Sequence, residues 1–269
     1  MPLLTSRLTP FFFENTRSRG WSYLAVSLTL LFCTPEPSAA LDLTNYSIKL
    51  DHITYLTRNL DSLTKVFQKK GFTVTPGDSK VLDMERHFVN LPDGTYIELQ
   101  STSSLDSGDW RVNSLNFYGD HIASVTFQTP DLEKLRQKLE GTSVRIGRTL
   151  DEIYEGRLLW RAFGIEGTEP LDIVFVQREQ SLVELPIKHE NGHRRIEWVI
   201  FAANKEEEPV LRDLFTALDL TKRHEGWYDY WMMGTSERRL NVRIGEPYNP
   251  MFKASNGIFI EENGLVFAY

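Results

Sequence analysis

The chain has 269 residues, 41% of them apolar, 12% aromatic and 25% charged, with a formal net charge of −7. A chain of that size can bury a sizeable core without covalent staples, and its acidic balance disfavours a broad surface for nucleic acid or anionic lipid. Its one cysteine, Cys33, excludes an intrachain disulfide framework and any thiolate zinc cluster.

Residues 1–40 differ from the rest. Arg7, Arg17 and Arg19 precede a largely apolar run from Trp21 to Cys33, followed by Pro35-Glu36-Pro37-Ser38-Ala39-Ala40. A basic flank, about a dozen apolar residues and small residues before a cut describe a secretory signal peptide. The run is shorter than the roughly 20 residues of a bilayer span. Cleavage is expected after Ala40, giving a secreted or periplasmic product with no stable membrane association; an uncleaved N-terminal anchor is the alternative.

From residue 48 onward one pattern recurs three times. In the first pass, Asp51–Thr57 alternates as a strand. Leu60, Leu63, Val66 and Phe67 then fall at helical spacing, and Gly71 ends that helix. Phe72–Thr75, Arg86–Leu91 and Tyr96–Gln100 read as further strands, the last two separated by the turn Pro92-Asp93-Gly94. The second pass has a strand at Ala123–Thr129, a helix carrying Leu132, Leu135 and Leu139, and strands near Ser143–Arg148, Leu158–Gly164 and Leu171–Gln177. The third has a strand at Ile196–Phe201, a helix from Glu206 to Leu220, and strands near Trp227–Met233, Leu240–Ile244 and Gly257–Glu261. This organisation predicts two βαβββ modules over 41–178, a connector over 179–192 and a third, less regular βαβββ-like module over 193–269. The fold class is α+β: modules side by side form a half-open mixed β-barrel cleft with the helices outside.

Strand alternation selects the cleft residues. Ile53 and Tyr55 belong under the helix, so His52, Thr54 and Leu56 point into the cleft. On the fourth strand Tyr96, Glu98 and Gln100 share one face, with Ile97 and Leu99 on the other. An imidazole and a carboxylate facing one space are the donors that Zn, Mn, Fe or Ni accepts; a buried histidine hydrogen-bonded to Glu98 is the other reading. Glu98 and His87 are the catalytic candidates, His87 as proton shuttle or carbonyl ligand or else as a solvent-facing residue at a strand start. Ser124 and Gln177 join Thr54 and Tyr96 as substrate-cleft residues. Trp160 and Phe163, with Tyr96, form aromatic walls or core. The run from Trp227 to Met233 is a core strand, a lid or a homodimer contact.

Leu50-Asp51-His52-Ile53, Asn59-Leu60-Asp61, Gly71-Phe72-Thr73-Val74-Thr75-Pro76-Gly77 and Pro92-Asp93-Gly94-Thr95-Tyr96-Ile97-Glu98-Leu99, with Phe175-Val176-Gln177 and His189-Glu190-Asn191-Gly192 further on, resemble the glyoxalase-like branch of the vicinal oxygen chelate superfamily over about residues 49–200. The resemblance implies paired βαβββ modules around a divalent metal that bonds vicinal oxygens of a substrate, with ligands from the first and fourth strands of each module. It carries His52 and Glu98 across as ligands, and puts Ser124 and Phe175, which cannot replace them, in the second module. His121, in the string Asp120-His121-Ile122, is the substitute ligand there, and Glu197 and Glu261 are the substitutes in the third module. The implied function is a metal-dependent lyase, isomerase or dioxygenase acting on a small oxygenated substrate. The alternative is a metal-free protein of the same fold that binds or sequesters small molecules.

Overall fold

The computed structural model describes residues 25–27, 48–77, 85–102, 108–154, 156–168, 172–179, 187–196, 198–202, 207–225, 228–233, 240–245, 257–261 and 264–268. The expected signal segment therefore lies outside the described residues except for Ala25–Ser27, a short strand β1. Among the described residues no helix is long and apolar enough to cross a membrane.

The first module comprises β2 (Lys49–Thr57), α1 (Leu60–Lys69), β3 (Thr75–Pro76), β4 (Arg86–Asn90) and β5 (Tyr96–Ser101). A helix not foreseen from the sequence, α2 (Trp110–Tyr118), leads to the second module: β6 (His121–Gln128), α3 (Leu132–Glu140), β7 (Leu150–Tyr154), β8 (Arg157–Ile165) and β9 (Asp172–Arg178). The two modules share one eight-stranded mixed sheet, ordered β3-β4-β5-β2-β6-β9-β8-β7. The first strands of the modules, β2 and β6, pair antiparallel at its centre, and each pairs in parallel with the last strand of its own module. The sheet does not close into a barrel.

Helices α1 and α3 start in the same way. The side chains of Asn59 and Asp131 accept hydrogen bonds from the backbone N–H groups of Ser62 and Lys134, each at 2.9 Å, satisfying an otherwise orphaned donor. Leu60, Leu63 and Phe67 of α1, and Leu132, Leu135 and Leu139 of α3, bury against one face of the sheet. That face supplies Ile53, Tyr55, Ile97, Leu99, Val125, Phe127, Phe163 and Phe175. The opposite face is the cleft face.

A third unit follows: β10 (Trp198–Ala202), α4 (Glu207–Ala217), β11 (Thr221–Glu225), β12 (Tyr228–Met233) and β13 (Leu240–Gly245). Its strands run β10-β13-β12-β11 with β10 and β13 parallel, which is the connectivity of the first two modules; β1 pairs with the other edge of β10. The hairpin β14 (Gly257–Glu261) and β15 (Gly264–Ala268) forms a separate two-stranded sheet. Two strand assignments are thereby corrected. The second strand of module two is Leu150–Tyr154 rather than Ser143–Arg148, and the last strand of the third unit is β13 rather than Gly257–Glu261. The missed strands, LDEIY and TKRHE, end their sheets and are polar, as edges that must resist pairing with other chains usually are.

Candidate active site

Two register shifts shape the cleft face. Along β2, Leu50 pairs with Phe127 and His52 with Thr126, so Asp51 is an extra residue without a partner. Apolar parity reverses across it: Ile48 and Leu50 are core before the bulge, Ile53 and Tyr55 after it. Both Asp51 and His52 consequently project from the cleft face, a re-aiming that a single extra residue produces. On β6 the extra residue is Ala123, between Ser124 opposite Thr54 and Ile122 opposite Tyr55. The interval from Asp51 to Ala123 equals that from Asn59 to Asp131, so the bulges are equivalent positions of the two modules.

At the Asp51 bulge the side chains form a connected set. His52 Nδ1 donates to Asp51 Oδ2 at 2.7 Å, which directs Nε2 towards Glu98, 3.9 Å from its Oε2. Glu98 enters from β5, where it pairs in register with Thr54. The Tyr96 ring stacks on the His52 ring, centroids 4.6 Å apart. Arg178, the last residue of β9, reaches over from the second module: Nε and Nη2 donate to the two Asp51 carboxylate oxygens at 3.0 and 2.6 Å, and Nη2 also to the Tyr96 hydroxyl at 3.0 Å. Arg86 Nη1 lies 3.4 Å from the other Glu98 oxygen. Asp51 and Glu98 are buried.

The electrostatics follow from these contacts. Burial alone would raise the Asp51 carboxyl, but hydrogen bonds and charge from His52 and Arg178 outweigh it and hold the group well below the usual carboxylate range. The Tyr96 phenol is pushed far up by burial, with the neighbouring Asp51 charge adding to it, so it stays a neutral hydroxyl. Burial works against the Arg178 charge, and the Asp51 pairing more than restores it.

Of the residues named from the sequence, His52, Glu98, Tyr96, Thr54 and Ser124 all lie on the cleft face, the last two opposite each other in register. Trp160 shares this face, opposite Arg178 in register, whereas Phe163 is core. Three others go elsewhere. His87 pairs with Leu99 on the helix face, and its Nδ1 meets Thr64 Oγ1 of α1 at 2.7 Å, so it faces away from Glu98. Gln177 shares the helix face with Phe175, and its Oε1 accepts from the Leu132 N–H at the start of α3. His121 pairs with Leu56, four residues along β2 from His52 and so about 13 Å away. Its Nδ1 meets Gly119 O at 2.7 Å and its Nε2 Ser114 Oγ at 2.8 Å, so both nitrogens are engaged; burial lowers its basicity.

Register also corrects the second-module match. Ser124 pairs with Asp172 as His52 pairs with Tyr96, which puts Val174 rather than Phe175 at the place of Glu98; Phe175 is core. Glu197 lies outside the described residues, and Glu261 stands on the β14–β15 hairpin. Sequence reasoning missed Asp51, Arg86 and Arg178. For Arg86 alternation was a usable signal, since it shares its strand face with Phe88, which is opposite Glu98. No local signal marked Arg178, 127 residues from Asp51.

A divalent ion is the group the sequence pattern called for. In favour, His52 is backed by a carboxylate at Nδ1, as metal-bound imidazoles usually are. Against it, the equivalent second-module positions hold Ser124 and Val174, and a guanidinium occupies the far side of Glu98. Among the described residues no group of three His, Cys, Asp or Glu side chains is placed to hold a metal ion. Two donors flanked by two arginines do not fit a resident divalent ion.

Two βαβββ modules paired through antiparallel first strands, with polar groups gathered on the face turned from the helices, define a protein of the vicinal oxygen chelate superfamily. The family model described as a glyoxalase-like domain matches residues 50–214, and the chain belongs to that family. No curated protein matches the chain. Among solved structures, a hypothetical protein from Staphylococcus aureus is 14% identical with a TM-score of 0.54, covering 81% of this chain and 97% of its own. Methylmalonyl-CoA epimerase from Mycobacterium tuberculosis is 17% identical with a TM-score of 0.42, covering 55% of this chain and 98% of its own. At these identities the likeness is one of fold.

Proposed function

We propose that the chain is a glyoxalase-like enzyme that transfers a proton on a small oxygenated substrate, an isomerase or lyase reaction, at the Asp51–His52–Glu98 set. The observation that carries this is the orientation of His52: Asp51 holds Nδ1 at 2.7 Å and leaves Nε2 facing Glu98 across 3.9 Å. An imidazole fixed in that tautomer offers a basic Nε2, and the carboxylate behind it stabilises the imidazolium formed when it takes a proton. The imidazolium passes that proton to the Glu98 carboxylate, which returns it to the substrate at the acceptor carbon, so both groups end as they began. Arg86 beside Glu98 favours a substrate with a carboxylate or an incipient enolate oxygen there. The assay is solvent exchange: a panel of small hydroxy acids, keto acids and ketones is incubated with the protein in D2O, and C–H exchange is read by NMR. Exchange catalysed by wild type and reduced at least a hundredfold in His52→Ala and Glu98→Gln supports the reading; no exchange with any of the panel, or exchange unaffected by both substitutions, refutes it.

The exchange assay is run with chelator and with added Zn, Mn, Fe or Ni. Activity that survives chelator fits the donor set described above. Activity that requires one of these ions would favour the metal-dependent form, with His52 and Glu98 as its only side-chain ligands among those described. A second reading, a metal-free protein that sequesters its ligand, is favoured by Ser124 and Val174 in the second module. Its mark is a melting temperature raised by ligand, equally with and without chelator, and no exchange. The leader points to work outside the cytoplasm, which N-terminal sequencing of secreted material tests.

A further inference from the structure

The string His189-Glu190-Asn191-Gly192 is not part of the cleft, and its contacts form a separate device. The Thr73 N–H donates to His189 Nδ1 at 2.9 Å, so that nitrogen carries no proton; Nε2 then holds the proton and donates to the Asn90 carbonyl, also at 2.9 Å. The His189 ring meets the Phe72 ring edge to face with centroids 5.2 Å apart, and the His193 ring stacks parallel to the same phenyl at 5.3 Å. Asn191 continues the attachment: its Nδ2 donates to the Lys70 carbonyl at 2.8 Å, and its Oδ1 accepts from the His193 N–H at 3.0 Å. The Asp93 N–H donates to the Arg194 carbonyl at 3.2 Å. His189 and His193 are 2% and 7% exposed.

We propose that residues 187–196 are an acid-sensitive clasp that fastens the third unit to the first module and opens when His189 gains a proton. The chain runs from this clasp through buried Ile196 into β10. Two contacts of the third unit with the second module, Lys138 of α3 with Asp219 and Ser143 beyond α3 with Asp213 of α4, do not involve the clasp. A neutral ring in this one tautomer satisfies two backbone groups from two elements. A protonated ring has two donors, so Nδ1–H would confront the Thr73 N–H and strand it without an acceptor. The charged and titratable groups around it are His193, Lys188, Glu190, Arg194 and Arg195 on the connector, Lys69 and Lys70 at the end of α1, and Asp93 in the β4–β5 turn. His87 on β4 is turned to Thr64. Burial lowers the basicity of His189, with the Asn90 bond opposing it, and lowers that of His193, with His189 adding to it.

A histidine whose folded value is depressed contributes fully above its ordinary value near 6.5 and loses that contribution as pH falls towards the folded value. Across that window the opening equilibrium rises by up to about tenfold per pH unit. The test is hydrogen exchange by mass spectrometry of the full chain at pH 7 and pH 5, corrected for intrinsic rates. The segments covering 72–75 and 187–196 should lose more protection in acid than the β2 and β6 segments, by up to about tenfold per pH unit across that window. His189→Gln, which offers the same acceptor and donor without titrating, should remain protected at both pH values, while His193→Phe should keep the wild-type pH response. Equal protection at pH 7 and 5 overturns the proposal, as does a pH response that persists in His189→Gln. Should that variant not fold, nitrogen NMR of wild-type His189 decides: Nε2–H with a depressed pKa supports the clasp, and an Nδ1–H tautomer or an undepressed pKa overturns it.

Discussion

Replacing Arg178 with methionine tests whether the second module positions the chemistry of the first. The guanidinium makes three hydrogen bonds, two to Asp51 and one to Tyr96, with side-chain exposures of 13% for Arg178 and 6% for Asp51. Methionine keeps much of the stem packing and leaves Asp51 as a buried carboxylate paired only with His52. Breaking one side of a buried pair costs about 3–5 kcal/mol, and the remaining His52 bond puts this site at about 3. Asp51→Asn removes the other charge, and the double variant closes a thermodynamic cycle whose coupling should be about 1–3 kcal/mol. Urea unfolding at pH 7 measures all three. Because Asp51 is held below its ordinary value near 4, the pair contributes fully above that pH and progressively less below it. The gap between wild type and Arg178→Met should therefore narrow in acid. A single-variant loss below about 1 kcal/mol, or additivity of the two substitutions, would mean that the contact does not organise the site.

Three further substitutions separate the site from its surroundings. Gln177→Leu removes the side-chain acceptor for the Leu132 N–H and should cost about 1 kcal/mol by thermal unfolding, with proton exchange unchanged. His121→Ala loses two hydrogen bonds and buried volume at the α2 end of the sheet; a loss of about 2–3 kcal/mol is expected, again with exchange intact. Impaired exchange in a folded His121→Ala protein would bring that residue into the site. Gly71→Ala meets a positive φ of 80° and would put its Cβ 3.0 Å from the Asn191 nitrogen, so it should cost more than about 1 kcal/mol and loosen the clasp in hydrogen exchange even at pH 7.

What could be read from the sequence was local in origin. The Pro92-Asp93-Gly94 turn and the apolar stripes of α1 and α3 each depend on a few neighbouring residues, and all mark their elements in the structure. The Tyr96/Glu98 face of β5 was legible because its alternation runs unbroken into the core residues Ile97 and Leu99. β2 was only partly legible. Alternation from Ile53 gave His52 its correct face, but that same rule sends Asp51 to the wrong one, because an added residue in a strand looks like any other residue until its partner strand is known. Arg178 required a contact between modules, and α2 lacked a stripe to betray it, since Leu115 is its only buried residue in the helix.

The two equivalent bulges explain why a nearly symmetric scaffold carries one candidate site rather than two. At the first, the extra residue is Asp51, whose carboxylate can turn an imidazole and recruit an arginine from the opposite module. At the second it is Ala123, which has no polar group to present and instead packs with Leu56, Leu115 and Trp110 under α2. His121 beside that end is held by Ser114 and Gly119, so its imidazole serves the α2 connection. Both bulges break the same central strand pair and re-aim the chain in the same way. The chemical difference between the ends of the cleft therefore comes from the side chain at the extra position and from the helix laid over one of them, and the backbone duplication by itself predicts neither.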